Sequence, residues 1–130
     1  MALKRKTIIS TKVLNLLQMA AKPLSITQIL DLLSKNNLHP NKSTLYRLIE
    51  KLTNDNVVTS ITLANSKKFY ELTNRGHHHH FFCESCDNII CLDNCHVELH
   101  GINLKNLLPS PSFKISHHDF NLYGKCDQCS

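Results

Sequence analysis

The chain has 130 residues and a formal net charge of +5, from 15 lysines and arginines against 10 acids. That length suffices for two small domains supported by metal or a partner and excludes one large enzyme domain. No run approaches the roughly 18 apolar residues of a membrane span. Lys4, Arg5 and Lys6 precede no long apolar stretch or cleavage site, so the expectation is a cytoplasmic protein without membrane association.

The charge is unevenly spread. Residues 1 to 75 carry 12 Lys/Arg and 4 Asp/Glu, net +8, whereas residues 76 to 130 carry 3 and 6, net −3. The first part suits a polyanion. All six cysteines and eight of the nine histidines lie in the second part, where a reducing compartment makes metal ligation a better account than disulfides. The expected domains are 1–74 and 75–130.

From Thr11, the residues Val13, Leu14, Leu16 and Leu17 share a helical face, ended by Ala20-Ala21-Lys22-Pro23 because proline cannot continue a helix. Ser25 is a good N-cap for a second helix carrying Ile26, Ile29, Leu30, Leu32 and Leu33, stopped by Lys35-Asn36-Asn37. After His39-Pro40, Asn41 or Ser43 caps a third helix with Leu45, Leu48, Ile49 and Leu52 inward and Lys42, Thr44, Arg47 and Lys51 outward. Val57 to Leu63 reads as a strand, Ala64 to Lys68 as a polar turn and Phe69 to Leu72 as a returning strand, a hairpin that forms the wing of a winged helix. Beyond Gly76 the pattern predicts strands around 77–82, 88–92, 113–115 and 120–123 and a helix over 96–108. Pro109 and Pro111 make 108–112 a loop. The fold class is α+β: an N-terminal winged helix-turn-helix domain and a small C-terminal α/β domain.

A helix-turn-helix reader lays its last helix in the major groove of double-stranded DNA, where short polar side chains meet base edges and cations meet phosphates. Lys42, Ser43, Thr44, Tyr46 and Arg47 supply both kinds. Scattered lysines and arginines ordinarily mean only a solvated face; helix spacing, wing and the local +8 together favour DNA. In the second part, Cys83-Glu84-Ser85-Cys86 and Cys126-Asp127-Gln128-Cys129 are two C-x2-C pairs with 39 residues between them. Each turns two thiolates toward one point, and two such pairs complete a closed tetrahedral zinc site. It would clip the domain's end to its first strand in place of core that so small a domain lacks. The run His77-His78-His79-His80 enters a predicted strand, so His77 and His79 point one way and His78 and His80 the other, serving two sites; solvated strand histidines are the plainer alternative.

These motifs resemble the ferric uptake regulator family: the histidine run into C-x2-C over His77 to Cys86, the terminal stretch from His118 through Leu122-Tyr123-Gly124-Lys125-Cys126, and Ser43-Thr44-Leu45-Tyr46-Arg47 as recognition helix. The resemblance implies a metal-dependent, homodimeric transcriptional regulator, a repressor of metal-uptake genes on a palindromic operator, whose C-terminal domain dimerises. It implies Cys83, Cys86, Cys126 and Cys129 as structural zinc ligands. It also implies His77, His79, Glu98 and His118 as a site in the dimerisation domain, and Glu71, His78 and His80 as a sensory site at the domain hinge. Two departures bear on the metal. Pro23 stands where many iron-sensing members carry a histidine, and Cys91 stands where they carry an acidic sensory ligand. Thiolate with imidazole suits zinc, whereas iron(II) sites are built from nitrogen and oxygen, so zinc is the expected effector and Fe2+ the alternative. The family's N-terminal helix is also expected to be missing, leaving Lys4, Arg5 and Lys6 as a basic arm.

Cys95 is read as a small buried residue, with ligation beside Cys91 or redox pairing as alternatives, and His96 is unplaced. His39, His100 and His117 are read as structural or solvated. Peroxide- or haem-responsive members of the same family remain competing readings. A different class, a zinc deaminase, is suggested by His96-Val97-Glu98 with Cys126 and Cys129, but Lys125 replaces its proline and Cys83 and Cys86 would have no role. No enzymatic activity is expected.

Overall fold

The computed structural model describes residues 5–20, 22–75, 78–92, 101, 103–118 and 120–130. The chain forms two compact units, Met1–Gly76 and His77–Ser130. Arg75 is tied into the first unit: its guanidinium donates to the carbonyl of Leu17 at 3.0 Å and to that of Ala20, carbonyls left over at a helix end.

In the first unit, α1 (Arg5–Met19), α2 (Ile26–Lys35) and α3 (Lys42–Asn54) precede a hairpin of β1 (Val58–Thr62) and β2 (Lys68–Leu72). Helix α1 begins six residues before its expected start, because Ile9 falls one turn ahead of Val13 and Leu17 and all three are buried on one face. This corrects the basic arm: the backbone of Arg5 and Lys6 is helical, and Lys4 lies outside the described residues.

Ser25 caps α2 in a reciprocal box, its hydroxyl accepting from the Gln28 amide at 3.2 Å while its own amide donates to Gln28 Oε1 at 2.9 Å. Of the two candidate caps for α3, Asn41 acts, accepting from the Thr44 amide at 2.8 Å. Leu45, Leu48, Ile49 and Leu52 turn inward onto Ile29, Leu33 and the α1 residues. The hairpin pairs antiparallel from Val58 opposite Leu72 to Thr62 opposite Lys68. Leu24 extends this sheet through two hydrogen bonds with Tyr70, of 2.9 and 2.8 Å.

The second unit is built on β3 (His79–Cys83), flanked by β4 (Ile89–Leu92) antiparallel and β5 (Asn121–Gly124) parallel. Phe82 and Ile89, paired across β3 and β4, are its fully buried hydrocarbon side chains among the described residues. Two expectations fail. Residues 113–115 form no strand, and Phe113 is 54% exposed. Of the helix over 96–108, residues 96–100 and 102 lie outside the described residues. The remainder has Gly101 at φ +64, a conformation that stops a helix, and then one 3-10 turn, Leu104–Leu107, capped by Asn103. No described helix is long and apolar enough to cross a membrane.

Candidate metal centres

Parallel pairing sets Cys83, the last residue of β3, opposite Gly124 at the end of β5. The Glu84 amide donates to the Gly124 carbonyl at 2.8 Å, so the two C-x2-C turns leave the sheet side by side. The sulfurs of Cys83, Cys86, Cys126 and Cys129 all lie within 4.8 Å of one another. Cys86 Sγ stands 3.8 Å from Cys126 Sγ. A tetrahedral zinc with Zn–S bonds of about 2.3 Å sets its sulfurs about 3.8 Å apart, so the cluster fits that ion.

The backbone prepares this cluster unequally. Cys83 Sγ accepts the Cys86 amide at 3.5 Å and the Cys126 amide at 3.4 Å, and these two donors, Cys86 first, lower its pKa to about 6. Cys129 is pushed up to about 12, first by its hydrogen bond with the Cys126 thiol and then by those with Cys83 and Cys86. Four sulfurs this close repel further ionisation unless a cation joins them. The described cysteines are free thiols.

Strand alternation separates the histidines. His78 and His80 stand together with ring centroids 4.6 Å apart. Cys91 is the residue directly opposite His80 in the β3–β4 register and therefore shares its face. Donor atoms of His78, His80 and Cys91 lie within 4.8 Å of one another. His80 is buried and the other two half-buried. His79 points the other way, buried, with its ring 5.2 Å from His118 and 5.5 Å from Phe120. Of the residues expected beside it, His77 and Glu98 lie outside the described residues, as do Cys95, His96 and His100. Glu71 is a buried residue of the first unit, on β2 opposite Thr59. His39 and His117 are exposed.

On α3, Lys42, Ser43, Tyr46 and Arg47 are exposed and Thr44 half-buried. Lys42 Nζ lies 6.0 Å from the Tyr46 ring centroid, a cation–π contact that orders both side chains on one surface. Sequence reading passed over two more cations, Lys67 and Lys68, as turn residues; both are exposed at the hairpin turn, where Leu63 N–H donates to Lys67 O at 2.9 Å. Their signal was the local charge excess itself. The deaminase reading finds no support in this geometry: four converging thiolates leave a tetrahedral ion no position for water.

The profile of the ferric uptake regulator family matches residues 4–123. The ferric uptake regulation protein of Campylobacter upsaliensis is 35% identical over 88 residues, covering 68% of this chain and 54% of that protein. That of Campylobacter jejuni is 33% identical over 94 residues, covering 72% and 58%. The chain thus spans about half the length of the curated relatives it matches. Among solved structures, the Helicobacter pylori ferric uptake regulator is similar at a TM-score of 0.78 with 21% identity, over 94% of this chain and 79% of that one. FurB of Mycobacterium tuberculosis, a zinc uptake regulator, is similar at 0.54 with 21% identity, over 97% and 95%.

Proposed function

Because this chain belongs to the ferric uptake regulator family, we propose that it is a metal-dependent DNA-binding repressor of metal-uptake genes whose effector is zinc. The observation that carries the metal choice is the cluster of two imidazoles and one thiolate, His78, His80 and Cys91, held apart from the four-cysteine cluster. Thiolate with imidazole favours zinc over iron(II) or manganese(II). Bound there, the ion supplies a positive centre that several donors can share. Iron is the second reading, favoured by the relatives that are ferric uptake regulation proteins.

Cys83, Cys86, Cys126 and Cys129 hold the structural zinc in this reading and keep the ends of β3 and β5 together. Glu71 joins His78, His80 and Cys91. Since Glu71 belongs to the first unit and the other three to the second, a shared ion restrains the hinge and shifts the population toward the DNA-competent arrangement. His79 and His118, with His77 and Glu98, form a third site in the dimerisation domain. The Helicobacter pylori regulator has three functional metal-binding sites. Lys42, Ser43, Thr44, Tyr46 and Arg47 meet the DNA, and a two-fold homodimer reads a palindromic operator.

Cobalt(II), a visible stand-in for zinc, tests the assignment in protein whose four-cysteine site already holds zinc. A sulfur-to-cobalt charge-transfer band should appear and should vanish in Cys91→Asp, which should also weaken zinc-dependent operator binding. Absence of the band in wild-type protein, or activation by iron(II) at lower free concentration than by zinc, refutes zinc as effector.

A further inference from the structure

We propose that His78, His80 and Cys91 also form a copper(I) site, and that copper(I) held there leaves Glu71 unused and so fills the sensory position without promoting DNA binding. The inference rests on the assignment of Glu71 as fourth donor made above, and adds a ligand that uses the position differently.

All three donors belong to one unit, His80 on β3, Cys91 on β4 and His78 directly before β3. His80 and Cys91 are cross-strand neighbours, His78 precedes His80 by two residues on the same face, and the donor atoms lie within 4.8 Å of one another. The β3–β4 ladder thus sets His80 against Cys91, and His78, directly before the ladder, stands with its ring 4.6 Å from that of His80. Two imidazoles and a thiolate are a trigonal donor set, and soft copper(I) is satisfied by three such ligands, whereas zinc completes a tetrahedron with a fourth.

Charge separates the two ions further. His80 is buried and the other two donors are half-buried, so a complex with uncompensated charge is disfavoured there. Copper(I) with the Cys91 thiolate and two neutral imidazoles is electrically neutral. Zinc with the same three donors retains one positive charge, and only an added carboxylate cancels it. Zinc therefore draws in Glu71, and copper(I) has no such requirement. On binding, the Cys91 thiol gives its proton to solvent and a sulfur–copper bond forms; no electron is transferred, and the copper enters and remains as copper(I).

The experiment uses the full chain with zinc in the four-cysteine site, without oxygen, titrated with the acetonitrile complex of copper(I) against a chromogenic copper(I) chelator. Wild-type protein should bind one more copper(I) ion than Cys91→Ser, and copper(I) should erase the sulfur-to-cobalt band of cobalt-loaded protein. The isosteric Glu71→Gln should weaken zinc binding at least about tenfold, since even an outer partner of a metal ligand costs that much. It should change copper(I) affinity by less than about twofold. Retention of the structural zinc in both variants checks their folding. Equal weakening of both metals by Glu71→Gln overturns the proposal, as does copper-loaded protein that binds operator as tightly as zinc-loaded protein. Copper uptake that ignores Cys91 and merely ejects the structural zinc also overturns it. If zinc binding ignores Glu71→Gln while copper uptake still needs Cys91, the copper site stands and the hinge role of Glu71 falls.

Discussion

Replacing Cys126 by alanine should dismantle the second unit and spare the first. Among the described residues of the second unit, Phe82 and Ile89 are the buried hydrocarbon side chains, alongside the sulfurs of Cys83 and Cys126. Each such side chain is worth about 1.5–3 kcal/mol on burial. A structural zinc in a thiolate-rich site contributes about 10–16 kcal/mol of folding free energy at neutral pH. Removing one of four ligands therefore takes away more than the apolar core can replace, even though the backbone amide at position 126, which holds Cys83 Sγ at 3.4 Å, is kept.

The first unit has a core of thirteen buried residues from α1, α2, α3, the hairpin and Leu24, with no cysteine among them. Amide hydrogen exchange distinguishes the two. In Cys126→Ala, or in wild-type protein stripped by a chelator, the amides of β3 should exchange freely while those of α2 and α3 keep their protection. The far-ultraviolet helical signal should persist, because every described α-helix lies in the first unit. Undiminished protection across β3 after complete zinc removal refutes the reasoning.

The lowered pKa of Cys83, about 6, makes a pH-dependent prediction. A group with a depressed folded pKa stabilises the metal-free fold above its ordinary range and loses that contribution as pH falls through the folded value. Calorimetry in buffers of different ionisation enthalpy should thus find about one more proton released per zinc at about pH 5 than at about pH 7.5. Arg47→Ala should weaken operator binding with metal content unchanged; a salt slope lower by about one marks a phosphate contact, and lost discrimination at one base pair marks base reading. Asn41→Ala deletes the cap of α3, which accepts the Thr44 amide at 2.8 Å, and should lower first-unit stability by about 1 kcal/mol in urea titration.

Local chemistry was legible in the sequence where the determinant lies within a few residues. Ser25 with Gln28, Asn41, and the inward row of Leu45, Leu48, Ile49 and Leu52 fix α2 and α3 by neighbours three and four positions away. The division of His78 and His80 from His79 needed only the two-residue period of a strand. The start of α1 was readable too, since Ile9 extends the spacing of Val13 and Leu17, but the polar run from Lys4 to Thr7 obscured it.

What escaped depends on distant partners. Phe113 to Ile115 has strand-like composition yet finds no described strand to pair with, and a strand without a neighbour leaves its backbone groups to water. The order β4-β3-β5, with β5 parallel to β3, is set by pairing across some forty residues, and no local pattern encodes it. The spacing of the cysteines was the one long-range signal, because two C-x2-C turns that share an ion must be neighbours in space.

That parallel pairing has a consequence for how the protein is made. The first unit has its strand partners within its own length and is complete at Gly76, so it can fold while the ribosome is still translating the rest. The second cannot, because the neighbour on one side of β3 is β5. Cys86 precedes Cys126 by 40 positions, and at typical synthesis rates of about 5–20 residues per second that interval lasts several seconds. Throughout it the nascent chain presents the Cys83 and Cys86 thiols without the second pair, open to any metal ion or oxidant near the ribosome before the four-cysteine cluster can close.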